Sequence, residues 1–173
     1  MRYLLLAAFF WPSNFAAGTL PAPRECRLRL FEIHSRERID VVYRRGDSYV
    51  PEALTRLDCF LRDHRVQTVA HYDPRLFDLL ADLASKVGRP DAEINVICGY
   101  RTSWSNEFLR SRSRRTGVAL KSLHMKAQAI DIRLPGVPTS RLRDAALALG
   151  RGGVGYYARS DFVHVDVGRV RRW

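Results

Sequence analysis

Two short runs of strict alternation stand out along the chain. In Ala129–Leu134, Ile130, Ile132 and Leu134 fall on one side of an extended backbone and Ala129, Asp131 and Arg133 on the other. Near the end, Val163, Val165 and Val167 alternate with Phe162, His164 and Asp166. Each run predicts a strand with one apolar face and one polar face. Pro135-Gly136 closes the first. Upstream, Arg27–Ile33 reads as a strand with a register shift at the Phe31/Ile33 pair, and Ile39–Tyr43 as a second strand. The turn signal Gly46-Asp47 and the apolar Tyr49-Val50 complete a small β-meander. Ile94–Cys98 predicts one more short strand.

The helical signals lie between these strands. Pro51-Glu52 opens a helix with Leu54, Leu57 and Leu61 on one face and Phe60 beside them. Asp73-Pro74 predicts an N-cap and first turn, followed by a stripe of Leu76, Leu79, Leu80 and Leu83 that Gly88 ends. Thr102 or Ser103 caps a helix carrying Trp104, Phe108 and Leu109, with Gly117 at its close. Thr139 is read as the cap of a last helix, with Leu142, Ala145, Ala146 and Leu149 inward. Gly150–Gly155 reads as a glycine-rich loop. Its formal GxGxxG pattern follows a helix rather than a strand, and too little chain remains for a βαβ unit, so a dinucleotide site is rejected. This mixed order predicts an α+β fold, a mainly antiparallel central sheet flanked by helices.

At 173 residues one domain is expected. Met1-Arg2 and the apolar run Tyr3–Trp11, with Pro12 and then Ala16-Ala17-Gly18, have the layout of a secretory signal peptide. The run is too short for a membrane-spanning helix, which needs about 20 apolar residues. A buried N-terminal helix or strand is the competing reading. The expected division is a signal peptide over 1–18, a linker over 19–26 and one domain over 27–173, exported and periplasmic or wall-associated. The formal net charge of +11, nearly all from arginine, favours an anionic cell-wall or membrane surface as partner. No nucleic-acid-binding motif appears, so nucleic acid is not expected as a partner. The arginine-rich stretches Arg110–Arg115 and Arg169–Arg172 read as solvated faces. Cys26, Cys59 and Cys98 lack CxxC spacing and read as core residues or one optional disulfide, not as metal ligands. His34, His64 and His71 have no ligand spacing among themselves and read as surface or turn residues.

The candidate chemistry sits on the two alternating runs. His124 precedes the first, Asp131 is on its polar face, and His164 is on the polar face of the second. If the strands pair antiparallel, Asp131 faces His164, and His124 reaches them from the entering loop. Two imidazoles and a carboxylate suit one zinc ion with an open position for water. Asp161, three residues before His164, is the candidate general base, although Ser160-Asp161 is also ordinary turn chemistry. Asp166 shares the face of His164 and suits orientation of that ligand.

Ser122-x-His124-x6-Asp131, followed by Asp161-x-x-His164, resembles the zinc D-Ala-D-Ala peptidases, a group that extends to lysostaphin-type enzymes and hedgehog domains. The nearest likeness is to the small exported murein endopeptidases. Gly99-Tyr100-Arg101-Thr102 and Gly152–Tyr157 also resemble that branch, and the likeness runs from about Arg27 to Trp173. It implies a hedgehog/D-Ala-D-Ala peptidase-like fold. It also implies one Zn2+ per chain on His124, Asp131 and His164, with Asp161 as base. Arg101 would bind a substrate carboxylate or stabilise the polarised carbonyl, and Ser122 would support the site. Ala127 departs from the pattern, because the family has glycine there. A methyl at that position matters only if the backbone needs a positive φ. The implied reaction is hydrolysis of peptide bonds in peptidoglycan stems or cross-links by a monomer. The alternatives are a non-catalytic zinc-containing wall-binding module and an intracellular arginine-rich nucleic-acid binder.

Overall fold

A computed structural model describes residues 24–112 and 118–173. The expected signal peptide, residues 19–23 of the linker, and the part of the Arg110–Arg115 run beyond Arg112 lie outside the described residues. So does Gly117. Among the described residues no helix is long and apolar enough to cross a membrane.

The chain opens with β1 (Glu25–Glu32), β2 (Arg38–Arg45) and β3 (Ser48–Tyr49). Two helices follow, α1 (Pro51–Phe60) and α2 (Arg75–Lys86), then β4 (Glu93–Cys98) and α3 (Ser103–Ser111). The last part is β5 (Ala129–Arg133), α4 (Thr139–Leu149), β6 (Gly153–Tyr157), β7 (Phe162–Asp166) and β8 (Arg171–Arg172). The strands make one sheet in the order β3-β2-β1-β4-β5-β7-β6-β8. Only β1/β4 and β6/β8 pair parallel. The fold is therefore α+β with a mainly antiparallel sheet, as the element order predicts.

The period-two pattern decides which face is covered. Leu28, Leu30, Val41, Ile94, Val96, Ile130, Ile132, Val163 and Val165 are buried in one continuous core. Helices α1, α2 and α4 contact β1, β2, β6 and β7 and contribute Leu57, Phe77, Leu80 and Leu142 to that core. Burial of such a layer is the main force holding the sheet. The opposite side of β5 and β7 carries the polar set.

Several local expectations change. β1 begins at Glu25, inside the expected linker, and its register shift lies at Cys26/Arg27 rather than near Phe31. Asp73 does act at the start of α2, its carboxylate accepting from the Arg75 amide at 3.1 Å. Gly88 ends the segment after α2 with φ +76. In α3 the cap is Thr102, whose hydroxyl accepts from the Ser105 amide. The buried residues of α3 are Ser105 and Asn106, while Trp104 and Phe108 stack on each other in the open. Thr139 is not a cap: it is the first helical residue after Pro138, and its hydroxyl donates to Asp161 at 3.0 Å. The Gly150–Gly155 run is only partly a loop. Gly150 ends α4 at φ +63, and Gly153 starts β6.

Candidate metal centre

β5 and β7 pair antiparallel with Asp131 opposite His164. The alternation thus brings a carboxylate and an imidazole together on the uncovered face. His124 arrives from the 3-10 turn Leu123–Lys126, which Ser122 caps by accepting from the His124 amide. Three ligand-type atoms meet there. His124 Nε2 is 3.2 Å from Asp131 Oδ1 and 3.1 Å from His164 Nδ1. His164 Nδ1 is 2.9 Å from Asp131 Oδ1.

The outer hydrogen bonds set the tautomers. His124 Nδ1 lies 2.8 Å from the Gly99 carbonyl, which can only accept, so this nitrogen carries the hydrogen. His164 Nε2 lies 3.1 Å from the Asp166 carboxylate and carries its hydrogen for the same reason. With both rings neutral, Nε2 of His124 and Nδ1 of His164 present lone pairs to each other and to a carboxylate oxygen. Three acceptors facing one point need a proton or a cation between them. Tetrahedral zinc with bonds of about 2.0–2.1 Å sets its donors about 3.3 Å apart. The donor types, their convergence and their spacing fit such an ion.

Without a cation, a proton takes the place. Burial pushes the His164 pKa down, but hydrogen bonds to Asp131 and Asp166 outweigh it and the net shift is upward. His124 moves the other way, because desolvation dominates. Desolvation raises Asp131, and the two histidines more than reverse that, leaving it well below the usual carboxylate range. Below the raised His164 value, a metal would have to displace that proton. Affinity for Zn2+ is expected to fall as pH drops through the raised His164 value, by about tenfold per pH unit for one released proton. Chelator competition across pH would read that slope. The metal-free protein shows the complementary signs. The Asp131–His164 pair stabilises between the lowered Asp131 pKa and the raised His164 pKa. Its contribution is lost as pH falls through the first or rises through the second.

Neighbouring groups hold this arrangement. Gly99 is needed for close approach: a Cβ there would sit 2.7 Å from the Leu61 carbonyl oxygen and 3.1 Å from the Tyr72 hydroxyl. The same turn delivers Arg101, whose amide donates to the His124 carbonyl at 3.2 Å. Its guanidinium donates to the Ser122 hydroxyl at 3.2 Å. Arg101 is buried, its Nε has no partner, and no described carboxylate pairs with it. Asp63, fully buried, accepts from the amide and hydroxyl of Thr102 and fixes the start of α3 beside this turn.

A cavity opens over the cluster. Arg101, Lys121, Ser122, His124, Asp131, His164 and Arg171 supply its polar lining, and Leu123, Tyr157, Phe162 and Trp173 much of the rest. Asp161 is not among the residues that line this cavity, although its neighbour Phe162 is. Its carboxylate accepts from Thr139 and pairs with Arg133 at 3.1 Å, and its backbone is left-handed at the end of a short turn. Asp166 is brought there, fully buried behind His164.

Three contributors escape sequence reasoning. Cys98 sits opposite Asp131 across a β4–β5 irregularity, with its sulfur within 4.8 Å of ligand atoms of His124 and Asp131. Burial pushes its thiol up to about 12. Arg171 belongs to the Arg169–Arg172 stretch read as a solvated face, yet it lines the cavity together with Trp173, which follows that stretch. The only available signal was the joint occurrence of basic and aromatic residues there.

Ala127 has φ +51 and is fully buried, so the backbone does need the left-handed region where this chain lacks glycine. That conformation costs a non-glycine residue about 1–2 kcal/mol. Ala127→Gly relieves the strain but removes a buried methyl worth about 0.8 kcal/mol. The expected net effect is a gain of up to about 1 kcal/mol, visible as a small rise in melting temperature. A lower melting temperature would contradict this account.

The comparisons agree with the motif likeness. The family model described as peptidoglycan L,D-endopeptidase MepK matches residues 20–173. Peptidoglycan L,D-endopeptidase MepK of Escherichia coli (strain K12) is 43% identical over 158 residues, which are 91% of this chain and 85% of that protein. The probable peptidoglycan L,D-endopeptidase MepK of Haemophilus influenzae is 40% identical over 161 residues, 93% of this chain and 84% of that protein. No solved structure gives a significant match. On a match that spans the β5–β7 cluster and nearly all of the chain, the protein belongs to the peptidoglycan L,D-endopeptidase MepK family.

Proposed function

We propose that this chain is an exported zinc peptidase that hydrolyses peptide bonds in peptidoglycan, with the L,D-endopeptidase specificity named for its relatives. The observation that carries the reading is the convergence of His124 Nε2, Asp131 Oδ1 and His164 Nδ1 within 3.2 Å on the floor of an open cavity. The same reading includes one domain, expected over 27–173 and carried back to Glu25 by β1, a periplasmic or wall-associated location, action as a monomer, and a hedgehog/D-Ala-D-Ala peptidase-like fold. That fold assignment is supported by the β5/β7 pairing, which puts the second and third ligands on one face.

A zinc ion held by His124, Asp131 and His164 supplies Lewis-acid polarisation of a carbonyl and activation of water near neutral pH. The chain's own residues do the rest. Gly99 and Asp166 hold the two imidazoles with their lone pairs inward. Asp131 neutralises part of the cation's charge. Arg101 presents a buried guanidinium to a carboxylate of the stem peptide or to the scissile carbonyl, and Ser122 orients it. Tyr157, Phe162 and Trp173 give the cavity an aromatic lining. The net charge of +11 favours residence near the anionic wall.

Defined cross-linked muropeptides incubated with zinc-loaded protein test the reading. Mass spectrometry should show two products, cut at an L,D linkage, whose summed mass exceeds that of the substrate by one water. Intact substrate with stoichiometric zinc bound would instead favour the wall-binding module.

Two substitutions test individual assignments. General acid–base groups contribute about 10²–10⁴-fold. With its carboxylate tied to Thr139 and Arg133, Asp161 is expected to matter less: Asp161→Asn should keep kcat/KM within about threefold. A fall of 100-fold would return the base role to Asp161. Cys98→Ser should leave zinc stoichiometry unchanged, because the two histidines and Asp131 make the tighter set. Loss of the ion in that variant would make the thiol a ligand.

A further inference from the structure

We infer that Arg171, delivered by the two-residue strand β8, is a positioning residue of the metal centre, acting through Asp166 on His164. The inference rests on the reading of His124, Asp131 and His164 as metal ligands. Its basis is a chain of contacts that the ligand set alone does not require.

Arg171 holds Asp166 with two parallel bonds, Nη1 to Oδ1 at 3.1 Å and Nη2 to Oδ2 at 2.7 Å. This is the planar fork that lysine cannot reproduce. Oδ1 also accepts from the amides of Gly153 and Gly168, each at 2.9 Å. Oδ2 accepts from His164 Nε2 at 3.1 Å. The carboxylate thus has five hydrogen bonds and no exposed surface. Together these bonds fix its plane, and its plane fixes the imidazole. Rotation of the His164 ring would break the bond to Asp166 and turn Nδ1 away from Asp131 and His124.

The backbone around the pair is shaped to fit it. A Cβ at Gly153 would fall on the Asp166 carboxylate and the Arg171 guanidinium. One at Gly168 would come within 3.1 Å of Asp166 Oδ1. β8 itself is pinned to β6, with Trp173 donating its amide to the Val154 carbonyl and accepting from the Tyr156 amide. The Trp173 ring then lies 5.1 Å from the His164 ring, with the Arg171 guanidinium 5.0 Å away on Trp173. The end of the chain so closes around the outer side of one ligand. A purely structural ion pair would stabilise the tail and have no bearing on the cluster.

Zinc affinity, read by competition with a chromogenic chelator, separates these roles. Groups that orient ligands typically change metal affinity by about 10–100-fold. R171Q should weaken zinc binding by about that factor, and R171K should fall between R171Q and wild type. R171Q/D166N should bind no more weakly than D166N alone, within about twofold, because Arg171 acts through that carboxylate. The metal-free melting temperature of R171K should match wild type within a few degrees, which keeps the test independent of folding. Wild-type zinc affinity in R171Q, with affinity lost in H164A, would overturn the role of Arg171 alone. Additive losses in the double variant would overturn the route through Asp166. A wild-type protein that takes up no zinc would overturn both this inference and the proposed function.

Discussion

Replacing His164 with alanine should reduce muropeptide hydrolysis to background and strip the purified protein of stoichiometric zinc. His164 supplies one of three donors, and its Nδ1 makes the shortest of the three contacts in the cluster, 2.9 Å to Asp131. Two donors do not hold a catalytic zinc ion, which takes three protein ligands and keeps one position open. The effect should reach the metal-free protein as well. Asp131 is held well below the normal carboxylate range by both histidines. Removing one partner of a buried pair typically costs about 3–5 kcal/mol. A loss of roughly 3 kcal/mol is expected, the low end of that range, because His124 remains 3.2 Å from the carboxylate. Zinc content, product masses and metal-free thermal unfolding report these three consequences separately. Residual turnover within tenfold of wild type would remove His164 from the reactive centre.

The readable parts of the chain were those where local pattern and tertiary environment agree. β5 and β7 alternate because one face enters the core while the other faces the cavity, so their polar residues were legible as a set. β6 was hidden because Gly153 and Gly155 have low strand propensity. Their identity is imposed by tertiary neighbours instead: Asp166 and Arg171 crowd Gly153, and Trp173 crowds Gly155. No local signal reports a contact that comes from the far end of the chain. The same reason hid Arg171, which reads as surface charge until β8 folds it onto Asp166. Asp161 marks the limit of spacing as a signal. Its spacing to His164 fits a base, but spacing does not show where a carboxylate in a left-handed turn points. Here it accepts from Thr139 and pairs with Arg133. In α3 Trp104 and Phe108 face out while Ser105 and Asn106 face in, the Ser105 amide donating to the Thr102 hydroxyl and the Asn106 amide group to the Ala119 carbonyl.

Arg101→Met should make the protein more stable and far less active. Arg101 is 6% exposed, and among the described residues its Nε has no partner and its one side-chain bond is to a neutral hydroxyl. It also lies beside the site proposed for a dication. Such a charge weakens the folded state, and replacing buried charge with an apolar side chain of similar length often stabilises by about 1–4 kcal/mol. The arrangement is rational if a substrate anion completes it. Truncating one partner of a buried, hydrogen-bonded charge pair costs about 2–5 kcal/mol, so kcat/KM should fall roughly 10²–10³-fold. Zinc content should be unchanged, because no ligand contacts the guanidinium directly. The division of the loss identifies the partner. If Arg101 binds a stem-peptide carboxylate equally in ground and transition states, KM rises and kcat holds. If it meets the carbonyl oxygen as charge develops there, kcat falls instead. A variant with wild-type kcat/KM, or one that melts well below wild type, would show that the buried charge is structural and that substrate recognition lies with Lys121 or elsewhere in the cavity.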